Sequence, residues 1–169
     1  QTAGIVARLM TATPWGEAES LRSRKLPPGP GRGSEAVDRH QRERLFGATV
    51  AVVAERGYDA TRVEDILVVA GVSRNTFYRH FSNKRDCFIA TLEAIVAFTE
   101  PATLGVFEQT PGPWDRKLAA MLDAFAAVLV AQPAMARVAW VEVHVAGTEA
   151  VDVVERLDRS TEDIVSRAL

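Results

Sequence analysis

Residues 61–84, TRVEDILVVAGVSRNTFYRHFSNK, leave this chain few ways to fold. Thr61 is a good N-cap, and Glu64 stands three residues on, where a capping box places its carboxylate. Val63, Ile66, Leu67 and Ala70 then recur at helical spacing and predict one buried face. Gly71 ends that helix, because glycine alone takes the left-handed conformation cheaply. Val72 plugs the turn, and Ser73 caps a second helix whose apolar positions, Phe77 and Phe81, lie one turn apart. Asn75, Thr76, Tyr78 and Arg79 fall nearly opposite those rings, with Arg74 in the exposed first turn. From Ser73 to Arg85 there are four Arg or Lys and no acid. Two short helices, a tight turn and a basic outer face predict a helix-turn-helix that offers its second helix to DNA.

Three groups of residues, Ala70-Gly71-Val72-Ser73, Thr76-Phe77-Tyr78-Arg79-His80-Phe81 and Asn83-Lys84, resemble the DNA-binding domain of the tetracycline-repressor-like (TetR/AcrR) regulators. Glu55-Arg56-Gly57-Tyr58, with Thr61 three residues later, resembles the end of that family's first helix. The likeness covers roughly residues 38 to 95. Leu67 departs from it, standing where the family usually has a small alanine, and predicts slightly wider packing between the motif helices. The resemblance implies that Thr61, Tyr78, His80 and Lys84 hold phosphates while Arg74, Asn75 and Arg79 meet base edges. Arg62, Ser73 and Thr76 complete the candidate DNA-binding set. Tyr and Lys are good phosphate donors, Arg pairs bidentately with guanine and Asn with adenine, so the chemistry agrees.

The chain has 169 residues and 47% hydrophobic content, enough for one sizeable core or two small ones. Its net charge of −2 hides a division. Residues 1–34 carry five basic and two acidic side chains, residues 35–86 nine and eight, and residues 87–169 six and twelve. A basic front with an acidic body orients a protein on DNA but supplies no sequence specificity. Unbroken apolar runs such as Ala124 to Ala131 fall far short of a bilayer span, and QTAGIVARLM lacks a basic n-region and cleavage site. Neither a membrane partner nor a leader is therefore expected. The single cysteine, Cys87, excludes an internal disulfide framework, suits the cytoplasm and reads as a small buried residue.

Three domains are expected. Residues 1–34 form an extension in which Ile5, Val6, Leu9 and Met10 could make a short amphipathic helix. Residues 26–33, LPPGPGRG, read as a linker. Arg22, Arg24, Lys25 and Arg32 could reach DNA as an arm, but a solvated tail is the favoured reading. Residues 35–86 are the three-helix DNA-binding domain, with a first helix ending at Gly57 and Arg39, Arg42 and Arg44 in solvent. Residues 87–169 form a helical effector-binding and dimerisation body. It should break at Pro101, Gly105 and Pro111-Gly112-Pro113, then continue as helices 114–131, 134–146 and one from Thr148. No strand pattern appears, so the fold class is all-α.

In similar proteins a small molecule bound in the body shifts the spacing of two reading heads. Trp114, Met121, Phe125, Met135, Trp140 and His144 are the candidate lining of such a cavity, although Met and aromatic residues at helical spacing are more often ordinary core. An apolar or amphipathic effector is the default. The resemblance implies two further helices that usually form the dimer's four-helix bundle; they are expected to be lacking here, so either the chain is truncated or another surface pairs the subunits. A homodimer is expected, with two heads about 34–36 Å apart on a pseudopalindromic operator. His40, His80 and His144 stand far apart, Cys87 lacks a neighbouring base, and no phosphate-binding loop or metal-ligand cluster occurs. No catalytic residue, cofactor or metal is therefore expected. The reading is a cytoplasmic, ligand-responsive regulator, a repressor before an activator. An architectural DNA-binding protein or an interaction module without ligand control is the alternative.

Overall fold

The computed structural model describes residues 12–23 and 34–168. The candidate amphipathic helix at 5–10 and the linker with Arg24, Lys25 and Arg32 lie outside the described residues. The described chain opens with two two-residue strands, β1 (Ala12–Thr13) and β2 (Gly16–Glu17), paired antiparallel, and a single-turn helix α1 (Ala18–Leu21). A long α2 (Ser34–Arg56) leads to α3 (Val63–Ala70) and α4 (Arg74–His80), the helix-turn-helix. The body follows with α5 (Lys84–Gln109) and α6 (Trp114–Ala131). A continuous rod comes next, made of α7 (Pro133–Arg137), a π-helical turn (Val138–Glu142) and α8 (Val143–Ala146). The chain ends in α9 (Thr148–Ala168). The fold is all-α, an N-terminal three-helix head followed by a helical body, with one minimal hairpin that the sequence pattern did not predict.

Every residue of α2 from Arg44 to Ala54 is buried, more than its apolar stripe of Leu45, Phe46, Ala48, Thr49, Val52 and Val53 requires. Two partners explain this. Val50, Val53 and Ala54 enter the main core with Phe88, Leu92, Ile95, Met135, Val138, Val143 and Val153 from the body. Leu45, Phe46 and Ala48 enter a second core with Ile66, Ala70, Phe77, Phe81 and Leu21. Leu21 belongs to the extension, is fully buried, and sits where a Cβ on Gly47 would come within 2.9 Å of its Cδ1. Residues 12–23 are therefore a strap on the head, which corrects the solvated-tail reading for that part of the extension. A buried leucine holds it there, and Trp15 lies 5.5 Å from the Phe46 ring.

Other expectations change with the packing. Arg44 is only 6% exposed, not solvated. Its Nε donates to the Leu21 carbonyl at 3.0 Å, and its Nη2 donates to the carbonyls of Ala70 and, at 2.8 Å, Gly71. One guanidinium thus closes the C-terminus of α3, whose last carbonyls lack helical partners. Gly71 has φ +63°, and a Cβ there would meet Arg22 Cγ at 2.7 Å and Arg44 Nη2 at 2.9 Å. Conformation and space both demand glycine. The N-cap of α3 is Arg62, one residue beyond the expected Thr61, and the carboxylate that reaches back to the Arg62 N–H (2.9 Å) belongs to Asp65 instead of Glu64.

No break occurs at Pro101 or Gly105: α5 continues to Gln109. Proline costs a helix interior about 3 kcal/mol, but Ile95, Leu104 and Phe107 are buried on either side of it. Thr103 Oγ1 also donates to the Thr99 carbonyl at 2.9 Å. Packing outweighs the local penalty. By length and composition α5 could cross a membrane, yet 44% of its apolar window is buried against neighbouring helices, as in the core helix of a globular body.

Candidate nucleic-acid interface and body cleft

Helix α4 is too short to be stable alone and is held by its two rings. Phe77 is fully buried and Phe81 nearly so, with centroids 5.7 Å apart. Phe81 packs on Phe46 of α2 at 6.1 Å, and the Arg42 guanidinium covers both rings from outside. Ser73 caps the helix as expected, accepting from the Thr76 N–H at 3.1 Å, and its hydroxyl meets the Thr76 hydroxyl at 2.9 Å. With that side fixed, Arg74, Asn75, Tyr78 and Arg79 are exposed on the other. Tyr78 is 49% exposed and braced edge-on against Phe77 at 5.3 Å.

Exposure does not mean idleness. Arg74 pairs with Glu64 of α3, and Arg79 donates to Gln41 at 2.6 Å and Asp38 at 3.3 Å, both on α2. Exposed pairs contribute about 0–1 kcal/mol, so exchanging them for a phosphate or a guanine edge costs little. The His80 side chain is mostly covered, its Nε2 3.1 Å from Gln41 Oε1. Burial first and the neighbouring Arg79 second lower its pKa, and Asp38 partly opposes them.

Three of the expected phosphate holders are placed differently, His80 among them, since its ring is mostly covered and faces Gln41. Thr61 is 2% exposed and its hydroxyl donates to the Gly57 carbonyl at 2.7 Å, so it fixes the entry to α3 and presents no hydroxyl to a phosphate. Lys84 donates to the Tyr58 carbonyl at 2.8 Å, with its ammonium 4.2 Å from the Tyr58 ring centre. Two further N–H bonds remain to it, so it can bind outward while bracing the turn. Arg62 is exposed, at the N-cap of α3. Arg44 and Leu21 matter to this face and were missed: an arginine among the arginines of α2 carries no sign of burial, and the strap's partner is distant in sequence.

In the body, α5, α6, the π-turn and α9 enclose a cleft of about 390 Å³ lined by Thr103, Leu104, Met121, Leu122, Phe125, Trp140, Thr161 and Glu162. Phe125 and Trp140 meet edge-to-face at 5.6 Å. Three of the six expected lining residues, Met121, Phe125 and Trp140, are there. The other three are not: Trp114 lies half exposed at the start of α6, Met135 is fully buried in the main core, and His144 points outward from α8. Helical spacing placed all six inward, but the π-turn inserts an extra residue ahead of His144 and rotates it out of line.

Residues 45–91, from the buried stretch of α2 into α5, match the family described as bacterial regulatory proteins, tetR family. The head is a tetR-family domain. The HTH-type transcriptional regulator TcmR of Streptomyces glaucescens is 32% identical over 113 residues, which is 67% of this chain and 47% of that protein. The HTH-type transcriptional activator FasR of Mycolicibacterium smegmatis is 36% identical over 73 residues, 43% of this chain and 33% of that one. The HTH-type transcriptional repressor KstR of the same organism is 36% identical over 76 residues, 43% of this chain and 37% of that one. The chain thus spans half or less of the length of these relatives. A TetR family transcription regulator from Marinobacter aquaeolei VT8 shares the fold, with a TM-score of 0.71, 23% identity, and coverage of 79% of this chain and 70% of that one.

Proposed function

We propose that the protein is a ligand-responsive, DNA-binding transcriptional regulator that works in the cytoplasm as a homodimer on a pseudopalindromic operator. The observation that carries this reading is the outer face of α4, with Arg74, Asn75, Tyr78 and Arg79 exposed on a helix pinned from behind by Phe77 and Phe81. Arg74 and Asn75 read base edges. Tyr78 and Lys84 hold the backbone, with Arg79 at the edge of the contact. Exposed Val130, Val141 and Val145 on the body support pairing of two chains. Two heads about 34–36 Å apart would read successive major grooves.

The effector we infer is small and largely apolar, seated in the cleft against Phe125 and Trp140 with Thr103, Thr161 and the Glu162 carboxylate as polar anchors. Binding there releases the operator, so the regulator acts as a repressor. Selecting binding sites from a random duplex pool tests the DNA reading: a two-fold site with half-sites about one helical turn apart supports it. Recovery of no consensus would defeat it. A thermal-shift screen then tests the cleft. A compound that raises the melting temperature and lowers operator affinity supports ligand control, and one that stabilises the protein without touching affinity favours an architectural role.

A further inference from the structure

Glu142 is 6% exposed, and its partners bridge head and body. One carboxylate oxygen accepts the Tyr58 N–H at 2.9 Å. The other accepts Arg137 Nη2 at 3.2 Å and Nε at 3.3 Å. A buried carboxylate is costly unless so engaged. The opposing backbone is shaped to receive it: Gly57 has φ +84°, and a Cβ there would stand 3.4 Å from Glu142 Oε2. Residues 57 and 58 make three further contacts with their neighbours. The Tyr58 carbonyl accepts Lys84 Nζ, the Gly57 carbonyl accepts the Thr61 hydroxyl, and the Tyr58 ring packs 4.7 Å from Phe88. The body thus grips, through one carboxylate, the turn that sets the start of both α3 and α5.

At the other end of this contact lies the cleft. Glu142 closes the π-turn that begins at Val138, and Trp140, within that same turn, lines the cleft against Phe125. A π-turn holds one residue more than α-helical winding accommodates. Rewinding it into α register would turn Glu142 by about 100°, carrying the carboxylate off the Tyr58 N–H. Trp140 in the cleft and Glu142 on the head lie two residues apart in this one turn, so a change in its winding moves both. An occupant that displaces the indole therefore binds the two windings of this turn with different affinity, as a ligand must to shift an equilibrium.

We propose that Glu142 is the positioning residue that transmits occupancy of the cleft to the DNA-binding head, a role that rests on the cleft being the effector site. It acts through the Tyr58 N–H, with Arg137 as its counter-ion, and touches neither ligand nor DNA.

The test supplies its own occupant. Leu122 is exposed at the cleft wall, and Leu122→Cys alkylated with N-phenylmaleimide fixes a phenyl ring there. Cys87 is fully buried and stays unlabelled. Affinity is measured on a duplex selected by the unmodified protein, with and without the label. Labelling should weaken binding by about tenfold or more, and in the Glu142→Ala background by less than about twofold. Glu142→Gln keeps one oxygen for the Tyr58 N–H while Arg137, half exposed, turns to water, and should restore a response of about fivefold. A full response in Glu142→Ala overturns the relay and leaves the cleft reading intact. No response in the labelled parent overturns both. If Glu142→Ala fails to fold, amide hydrogen exchange of the parent decides: the Tyr58 amide should exchange about tenfold faster after labelling, and unchanged exchange overturns the relay.

Discussion

Cys87 and His80 show how burial, as the largest influence, sets chemistry. Burial pushes the Cys87 thiol up to about 12, although Thr49 lies 3.4 Å from the sulfur and favours the thiolate. Thiolate is the reactive form, so native protein at pH 8 should resist iodoacetamide and react only after denaturation. Stoichiometric modification of the native state, read by mass spectrometry, would contradict this. His80 has its pKa lowered by burial and Arg79 against the pull of Asp38, with Arg42 adding slightly to the lowering. Protons then bind the unfolded chain more readily, so His80 imposes no penalty above its ordinary value of about 6.5, and stability falls as pH drops through it. Urea midpoints at pH 7.5 and 5.5 should differ more for the parent than for His80→Gln; equal differences would count against the assignment. Arg44→Met keeps the stem and removes the donors to Leu21, Ala70 and Gly71. Leaving those carbonyls unpaired should cost about 2–3 kcal/mol, measurable by denaturant unfolding, and a loss below about 0.5 kcal/mol would mean that water replaces the guanidinium.

At the scale of elements, the strap is the test of packing. Leu21 contributes a whole buried side chain to the head, and Leu21→Ala should cost about 2–5 kcal/mol and loosen α2 against α3. Stability unchanged within error would return the strap to the status of a tail. Residues 61–84 were legible because each signal there is local: Ser73 caps, Gly71 stops, and Phe77 and Phe81 recur one turn apart. The helices from Trp114 and from Thr148 were legible for the same reason, starting after Pro113 and Gly147. What escaped depends on distant neighbours. Pro101 stays helical because Ile95, Leu104 and Phe107 are buried around it, and Arg44 is buried because Leu21 arrives over it. Three of the eight cleft residues were legible, since Met121, Phe125 and Trp140 follow regular spacing, whereas the π-turn that redirects His144 leaves no mark in composition.

Across the whole molecule, the acidic residues from 87 onward keep the body away from a polyanion while the head meets it. Each phosphate that the head's cations neutralise releases counterions, so affinity should fall with salt, and Tyr78→Phe, which removes one donor to the DNA backbone, should weaken all duplexes alike. The central claim is that the outer face of α4 reads sequence, and Arg74 tests it most directly. Binding of the parent and of Arg74→Ala should be compared by fluorescence anisotropy on the selected operator and on a scrambled duplex of equal length. Arg74→Ala should lose about 1–3 kcal/mol on the operator and little on the scrambled duplex, narrowing the ratio between them. Equal losses on both would contradict it, leaving Arg74 as one more charge facing a phosphate.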